Sequence, residues 1–127
     1  MNYYYFKLAK VSARIVGYPV TASIIYAQWA HETNNFTSDL CVECHNLGGL
    51  TQANENSNPQ PDGNNYYMEF ISDLDFARYF GSYLKLYAEN GLYECKTVED
   101  YVHCLKVGGY FGDTEENYLK GMMRYYE

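Results

Sequence analysis

The sequence predicts one mostly α-helical α+β domain, in which five helices surround a small β-hairpin lobe inserted mid-chain. The 127 residues are enough for a single domain, 1–127, with a modest core. Most of the chain carries apolar side chains at helical spacing between recognisable helix start and stop signals. Residues 50–70 lack that spacing and carry turn-forming residues instead, so the lobe is assigned to this stretch.

Two helices are predicted ahead of the lobe. The first covers about Tyr3–Ile15, where apolar residues recur every three or four positions, and Gly17 and Pro19 end it. The second covers about Val20–Glu32 and is rich in alanine and isoleucine. Residues 33–49 have no clear period and are predicted to be a loop.

The predicted lobe is irregular. Residues 50–65 contain two prolines, several asparagines and the turn signal Asp62–Gly63. We expect residues 64–70 to form its return strand.

Three helices are predicted after the lobe, each from a capping signal. Asp73 is the expected cap of the third, whose buried stripe would be formed by Phe76, Phe80, Leu84 and Tyr87, and Asn90–Gly91 would end it. Thr97 with Asp100 opens the fourth, which Gly108–Gly109 stops. Thr114 opens the last, which is predicted to end near Tyr126.

Composition restricts the class of function. Lys and Arg number 9 against 16 Asp and Glu, which gives a net charge of −7. This argues against a nucleic-acid binder and against electrostatic docking on an anionic surface. The 16 tyrosines suit a groove for a flat, hydroxylated ligand such as a sugar, although about two thirds are expected only to pack helices.

No stretch reaches the ~18 apolar residues that a membrane span needs, so no membrane insertion is expected. Residues 1–10 lack the basic-then-apolar order of a signal peptide. We therefore expect a protein that acts inside the cell, is released at lysis, or travels within a larger particle or polypeptide.

Glu32 is the strongest candidate for a catalytic residue. It shares one face of the second helix with Ile25 and Trp29, so its carboxyl group is expected to be partly desolvated. The negative end of the helix dipole and the net charge of −7 also disfavour ionisation. All three effects raise the pKa, as a general acid for glycosidic cleavage requires. A solvated surface glutamate remains the alternative on this pattern alone.

Short motifs in a fixed order resemble glycoside hydrolase family 73. They are similar to its Ala-Gln pair before an acidic Glu with Ser or Thr, its Asn-Leu-x-Gly turn, its Phe-Arg-x-Tyr strand and its Gly-Tyr-Ala-Thr-Asp-x-x-Tyr element. The corresponding segments are Ala27-Gln28-Trp29-Ala30-His31-Glu32-Thr33 with Phe36-Thr37-Ser38, Asn46-Leu47-Gly48-Gly49-Leu50, Tyr67-Met68-Glu69-Phe70, and Gly109-Tyr110-Phe111-Gly112-Asp113 with Tyr118.

The resemblance implies a lysozyme-like fold and an endo-β-N-acetylglucosaminidase that cuts bacterial peptidoglycan without a cofactor. Glu32 would protonate the β-1,4 glycosidic oxygen between N-acetylglucosamine and N-acetylmuramic acid. Substrate-binding positions would be Phe36, Asn46, Tyr66 and Tyr110. Local packing is the alternative role of Phe36, and turn formation is that of Asn46.

The family commonly takes a second acidic residue from its β-lobe. Here the lobe offers only Glu55 and Asp62, and Asp62 also fits a turn before Gly63. Either could orient a water if the two carboxyls stand ~6.5–9.5 Å apart. The N-acetyl group of the substrate could assist instead, or no second residue is needed.

Four cysteines allow three interpretations: disulfides, buried thiols, or a zinc site formed by Cys41, Cys44, Cys95 and Cys104. Helical geometry predicts ~10 Å or more between Cys95 and Cys104, too far for a mutual disulfide. Disulfides would therefore join the loop pair to these two. A Cys-His catalytic pair is ranked below all three, and His31 is expected to pack or to face solvent.

Other functions remain open at this point. A muramidase or lytic transglycosylase would use the same fold and a single glutamic acid, whereas a non-catalytic wall-binding domain would use the tyrosines alone. The missing leader favours a phage enzyme, an endolysin or a virion-associated protein with antimicrobial action, over a secreted autolysin. The expected partner is the peptidoglycan glycan strand.

Overall fold

The computed structural model describes residues 1–51 and 67–127, and this part of the chain is mostly helical, as predicted. It contains six α-helices and two short 3-10 helices. The α-helices are α1 Tyr3–Val16, α2 Ala22–Glu32, α3 Asp39–Cys44, α4 Asp73–Leu84, α5 Val98–Val107 and α6 Glu115–Met123, and the 3-10 helices are Lys85–Asn90 and Leu92–Glu94.

Side-chain caps start all six helices. Each cap accepts a hydrogen bond from a backbone N–H in the first turn, which would otherwise lack a partner. The caps are Asn2, Thr21, Ser38, Ser72, Thr97 and Thr114.

The caps of α5 and α6 are those predicted, but the expected cap of α4 is wrong by one residue. The Ser72 hydroxyl accepts from the Asp75 N–H at 3.1 Å, and Asp73 is the first helical residue. The predicted loop 33–49 also contains the short helix α3. Six residues are too few to reveal a helical period in the sequence.

Helix α2 runs through the centre of the domain. Every residue from Ile24 to Ala30 is buried, so the helix is enclosed on all sides rather than amphipathic. Helices α1 and α6 pack against it. Trp29 is fully buried, and its ring meets the edges of Phe76 and Phe80 at centroid distances of 5.3 and 5.4 Å. The predicted stripe of α4 is therefore confirmed as core.

Helices α1 and α4 pack closely. The Ser12 hydroxyl donates to the Ala77 carbonyl at 2.5 Å in a buried contact. A methyl group at Gly81 would lie 2.8 Å from the Ser12 carbonyl, so only glycine fits there without a shift.

One antiparallel bridge between Thr51 and Tyr67 closes the base of the predicted lobe. Next to it, the Met68 N–H donates to the Leu50 carbonyl at 3.0 Å. Most of the predicted hairpin falls in residues 52–66, outside the described part of the chain, and stays a prediction.

No helix within residues 1–51 and 67–127 combines the length and the apolar character that crossing a bilayer requires.

Candidate active site

Glu32 is the last residue of the buried helix α2, and its carboxyl group is largely shielded from solvent. Burial raises the pKa of Glu32 to about 7, and the nearby Tyr118 hydroxyl opposes this by lowering it. The direction agrees with the sequence prediction, and desolvation is the main cause. A carboxyl group with a pKa in this range can hold a proton near neutral pH.

The turn Gly48–Gly49 covers the Glu32 carboxyl. Gly49 has φ +65°, and a methyl group added to it would lie 2.6 Å from the Glu32 Oε2. The lack of space thus requires glycine here, and the left-handed backbone angle favours it as well. The close approach of bare backbone excludes water from one side of the carboxyl.

Asn46 holds this turn in shape. Its side chain is fully buried, and its Nδ2 donates to the carbonyls of Leu50 and Met68, both at 2.9 Å. Its Oδ1 accepts from the Leu50 N–H at 3.0 Å. Asn46 therefore forms the turn and ties it to the return segment of the lobe.

Tyr110 fixes the same turn from the opposite side. Its hydroxyl donates to the Gly48 carbonyl at 2.6 Å, and burial raises its pKa well above the ordinary value. The hydroxyl consequently stays a neutral donor over the whole physiological range. Glu32, Asn46 and Tyr110, all predicted as site residues, thus meet around one turn.

The loop after Glu32 is conformationally strained. Asn34, Asn35 and Phe36 have φ values of 51°, 61° and 65°, which side-chain-bearing residues rarely adopt and almost never three in a row. Thr33 holds this loop by donating to the Trp29 carbonyl and accepting from the Phe36 N–H, both at 2.7 Å. Such strain concentrates at functional sites.

Phe36 packs against the first helix. Its ring stacks on Tyr5 at a centroid distance of 3.9 Å and tilts against Tyr26 at 5.3 Å, and only 7% of the residue is exposed. The geometry therefore agrees with local packing, the alternative role that the sequence left open for Phe36. Glu55, Asp62 and Tyr66 lie outside the described residues.

Two residues near the acid received no individual role in the sequence analysis. Tyr118 of α6 is 2% exposed and faces Glu32, and Gln28 is fully buried one helical turn before it. Gln28 shares a helix face with Glu32 at i and i+4, so its spacing was a usable signal. Tyr118 belongs to the same family element as Tyr110, but local sequence pattern does not show that α6 brings it next to Glu32.

His31 packs against its neighbours, which is one of the two roles that the sequence predicted for it. Its ring meets the Tyr118 ring edge-on at 4.7 Å, and it lies directly against Gly121. Burial lowers the pKa of His31 below the ordinary value.

None of the four cysteines, all within the described residues, takes part in a disulfide. The Cys95 Sγ donates to the Gly91 carbonyl at 3.5 Å, the Cys104 Sγ donates to the Tyr87 carbonyl at 3.6 Å, and burial raises the pKa of both thiols. Cys41 contacts Tyr5 instead. In residues 1–51 and 67–127 no group of three or more Cys, His, Asp or Glu side chains is arranged to hold a metal ion.

The family model of the glucosaminidases, described as mannosyl-glycoprotein endo-beta-N-acetylglucosaminidase, matches residues 8–127. The chain belongs to this family. It is a glycoside hydrolase of the endo-β-N-acetylglucosaminidase type, and membership supports glycosidase activity on peptidoglycan. Neither the curated proteins nor the solved structures contain a significant match.

A methyl group at position 49 is expected to disturb the acid directly. Gly49→Ala should lower kcat/KM by roughly a hundredfold, because a shift of about 1 Å in a catalytic group has an effect of that size. Gly91→Ala is the matched control, since Gly91 has φ +91° but nothing within 4 Å of an added methyl. Wall-clearing rates and urea unfolding are measured for both variants. The comparison separates the effect of the methyl contact with Glu32 from the effect of backbone strain at a positive φ. Equal activity losses in the two variants would contradict the contact.

The raised pKa of Glu32 also predicts pH-dependent stability. The folded pKa of about 7 exceeds the ordinary value of 4.5, so the folded state binds this proton more tightly. The resulting stabilisation is complete below pH 4.5 and is lost as the pH rises through 7. Its full size is about 3 kcal/mol, from 1.36 kcal/mol per pKa unit.

Glu32→Gln removes this titrating group and leaves every other charged residue in place. The unfolding free energy of the native protein should therefore fall relative to the variant between pH 4.5 and pH 8, as measured by urea titration. A difference that stays constant over that range would show that Glu32 titrates normally.

Proposed function

We propose that the chain hydrolyses the β-1,4 bond between N-acetylglucosamine and N-acetylmuramic acid, leaving N-acetylglucosamine at the new reducing end, with Glu32 as general acid. The observation that supports this most is the pKa of about 7 at a carboxyl buried beneath the Gly48–Gly49 turn. A carboxyl with this pKa holds a proton near neutral pH and can release it.

In the proposed reaction the Glu32 carboxyl donates its proton to the glycosidic oxygen as the bond from that oxygen to C1 breaks. Positive charge develops on the sugar ring, and a water molecule adds to C1 and loses a proton. The Asn46 and Tyr110 hydrogen bonds keep the turn, and with it the acid, in a fixed position. Such fixed geometry favours proton transfer because the acid needs no rearrangement during the reaction.

The group that receives the proton of the water is proposed to be Glu55 or Asp62, from the lobe. In the alternative, the N-acetyl carbonyl oxygen of the substrate attacks C1 as the leaving oxygen departs, and a water then opens this cyclic intermediate while the Glu32 carboxylate takes up the proton of the water. Inverting and retaining outcomes distinguish these two routes, since a water-activating carboxylate inverts the configuration at C1.

The glycan strand is proposed to bind by stacking on tyrosine side chains, because the chain is too acidic to bind an anionic polymer by charge. Binding without cleavage is the competing function. If the protein only binds, it should leave the peptidoglycan intact, and a change of Glu32 should not affect binding.

Glu32→Gln is expected to reduce cleavage of purified peptidoglycan at least a thousandfold, in line with the ~10²–10⁴ that general acid catalysis contributes. Borohydride reduction of the digest followed by mass spectrometry identifies the new ends. Glu43→Gln, at an exposed position of α3, is the matched control and should keep full activity.

Reduced glucosamine ends support the proposed bond. Reduced muramic ends would instead indicate a muramidase, and anhydro ends a lytic transglycosylase. Full activity of Glu32→Gln would exclude Glu32 as the acid.

A further inference from the structure

Helix α4 carries two aromatic side chains on a face that the core does not use. Phe76, Phe80 and Leu84 are fully buried, whereas Tyr79 is 42% exposed and Tyr83 is half-buried. Tyr79 and Tyr83 stand at i and i+4, so their rings lie on the same side of the helix. Their ring planes differ by 18°, with the centroids 6.3 Å apart. The two rings therefore form one nearly flat surface that is open to solvent.

Further rings extend this surface at both ends. The Phe70 ring, from the segment before α4, has its centroid 5.4 Å from that of Tyr79, and the Tyr110 ring, from the segment after α5, lies 6.1 Å from that of Tyr83. Both added rings are half-buried. We call Phe70, Tyr79, Tyr83 and Tyr110 the aromatic row. Three separate segments contribute to it, so the tertiary structure assembles the row.

One end of the aromatic row reaches the candidate active site. The Tyr110 hydroxyl donates to the Gly48 carbonyl at 2.6 Å, and a methyl group on the neighbouring Gly49 would touch the Glu32 carboxyl. A ligand that lies along the row would therefore extend to the turn that covers the acid. The row is continuous with the site and is not a separate patch.

Contacts behind the aromatic row hold its rings in place. The Tyr83 hydroxyl pairs with the buried Tyr87 hydroxyl at 2.9 Å, and the Phe70 N–H donates to the Cys44 carbonyl at 2.9 Å. The Phe70 ring also meets the edge of the buried Phe76 ring at 5.1 Å. Side chains that are already restrained lose little freedom when a ligand binds. The row is thus preorganised for a flat ligand.

Charge and chemistry together indicate the class of ligand. The net charge of −7 gives an anionic polymer no electrostatic attraction to this chain. A pyranose ring presents C–H groups on its face and hydroxyls at its edge, which match the apolar face and the polar tip of tyrosine. A β-1,4-linked glycan repeats this flat unit along its length, as the row repeats its rings. Membership of a peptidoglycan glycosidase family supports the same ligand.

We propose that the aromatic row is a glycan-binding surface, on which sugar rings beyond the pair whose bond is broken stack on Tyr79 and Tyr83. Binding there makes the protein prefer long glycan strands over short fragments. The inference rests on the proposed function for the identity of the strand. The binding surface itself can be tested without cleavage.

The binding test is co-sedimentation with purified insoluble peptidoglycan in the cold, with every variant made in the Glu32→Gln protein. Tyr79→Ala removes the most exposed ring of the row and should weaken binding about tenfold, the effect expected for one lost aromatic contact. Tyr79→Phe keeps the ring and should bind as tightly as its parent. Tyr93→Ala is the matched control, because Tyr93 is 41% exposed but lies in the second 3-10 helix, outside the row.

A second measurement locates the ligand on a protein in which the row is intact. Tyrosine rings labelled with ¹³C in the Glu32→Gln protein are titrated with soluble β-1,4-linked N-acetylglucosamine oligosaccharides, and Tyr79→Phe assigns the Tyr79 resonances. The ring signals of Tyr79 and Tyr83 should shift, whereas those of Tyr93 should stay in place.

Kinetics connect the surface to cleavage. With Glu32 present, Tyr79→Ala should raise KM for long glycan strands about tenfold and leave kcat unchanged, because stacking at a distance from the broken bond is the same in the ground state and the transition state.

Unchanged peptidoglycan binding by Tyr79→Ala, or ring signals of Tyr79 and Tyr83 that do not move, overturns the proposal. Equal losses in Tyr79→Phe and Tyr79→Ala overturn stacking in favour of a hydrogen bond from the hydroxyl. A dimer that Tyr79→Ala dissociates in analytical ultracentrifugation overturns the glycan in favour of a second copy of the chain. If Glu32→Gln still cleaves the wall, the proposed acid fails, and weaker binding by Tyr79→Ala still supports the glycan-binding surface.

Discussion

The burial of one carboxyl group at the end of α2 determines how the neighbouring segments are built. A buried carboxylate is unfavourable, and the protein responds by holding Glu32 partly protonated at neutral pH. The segments around it then need unusual backbone: a glycine turn that approaches the carboxyl without a side chain, and a loop that leaves the helix at once through three left-handed residues. Neither feature would be retained for stability alone.

The rigidity of the turn follows from groups that are themselves buried. Asn46 makes three hydrogen bonds to backbone, and Tyr110 makes a fourth to Gly48, so the turn is restrained on both sides. Because α2 is enclosed from Ile24 to Ala30, the acid also sits on an element that cannot easily shift. A proton donor positioned in this way matches what glycosidic cleavage requires.

The sequence correctly predicted those features that depend on residues close together along the chain. Helix starts followed from hydroxyl caps such as Thr97, and the apolar face of α2 predicted the raised pKa of Glu32 correctly in direction. Where two capping residues stand side by side, as Ser72 and Asp73 do, local pattern cannot choose between them.

Contacts between distant segments could not be predicted in this way. Tyr101 and Gln28 are 73 residues apart, and only the packing of α5 on the core brings them together. The family motifs predicted Glu32, Asn46 and Tyr110 as site residues, and the tertiary structure shows which groups each of them contacts.

The proposed function depends on Glu32 being a weak acid in the folded protein. Its pKa can be measured directly by selective ¹³C labelling of glutamate carboxyls and NMR titration from pH 3 to pH 9, with Glu32→Gln used to assign the resonance. A titration midpoint near 7 agrees with a buried, partly protonated Glu32. A midpoint near the ordinary value of 4.5 would show a solvated carboxylate and would contradict it.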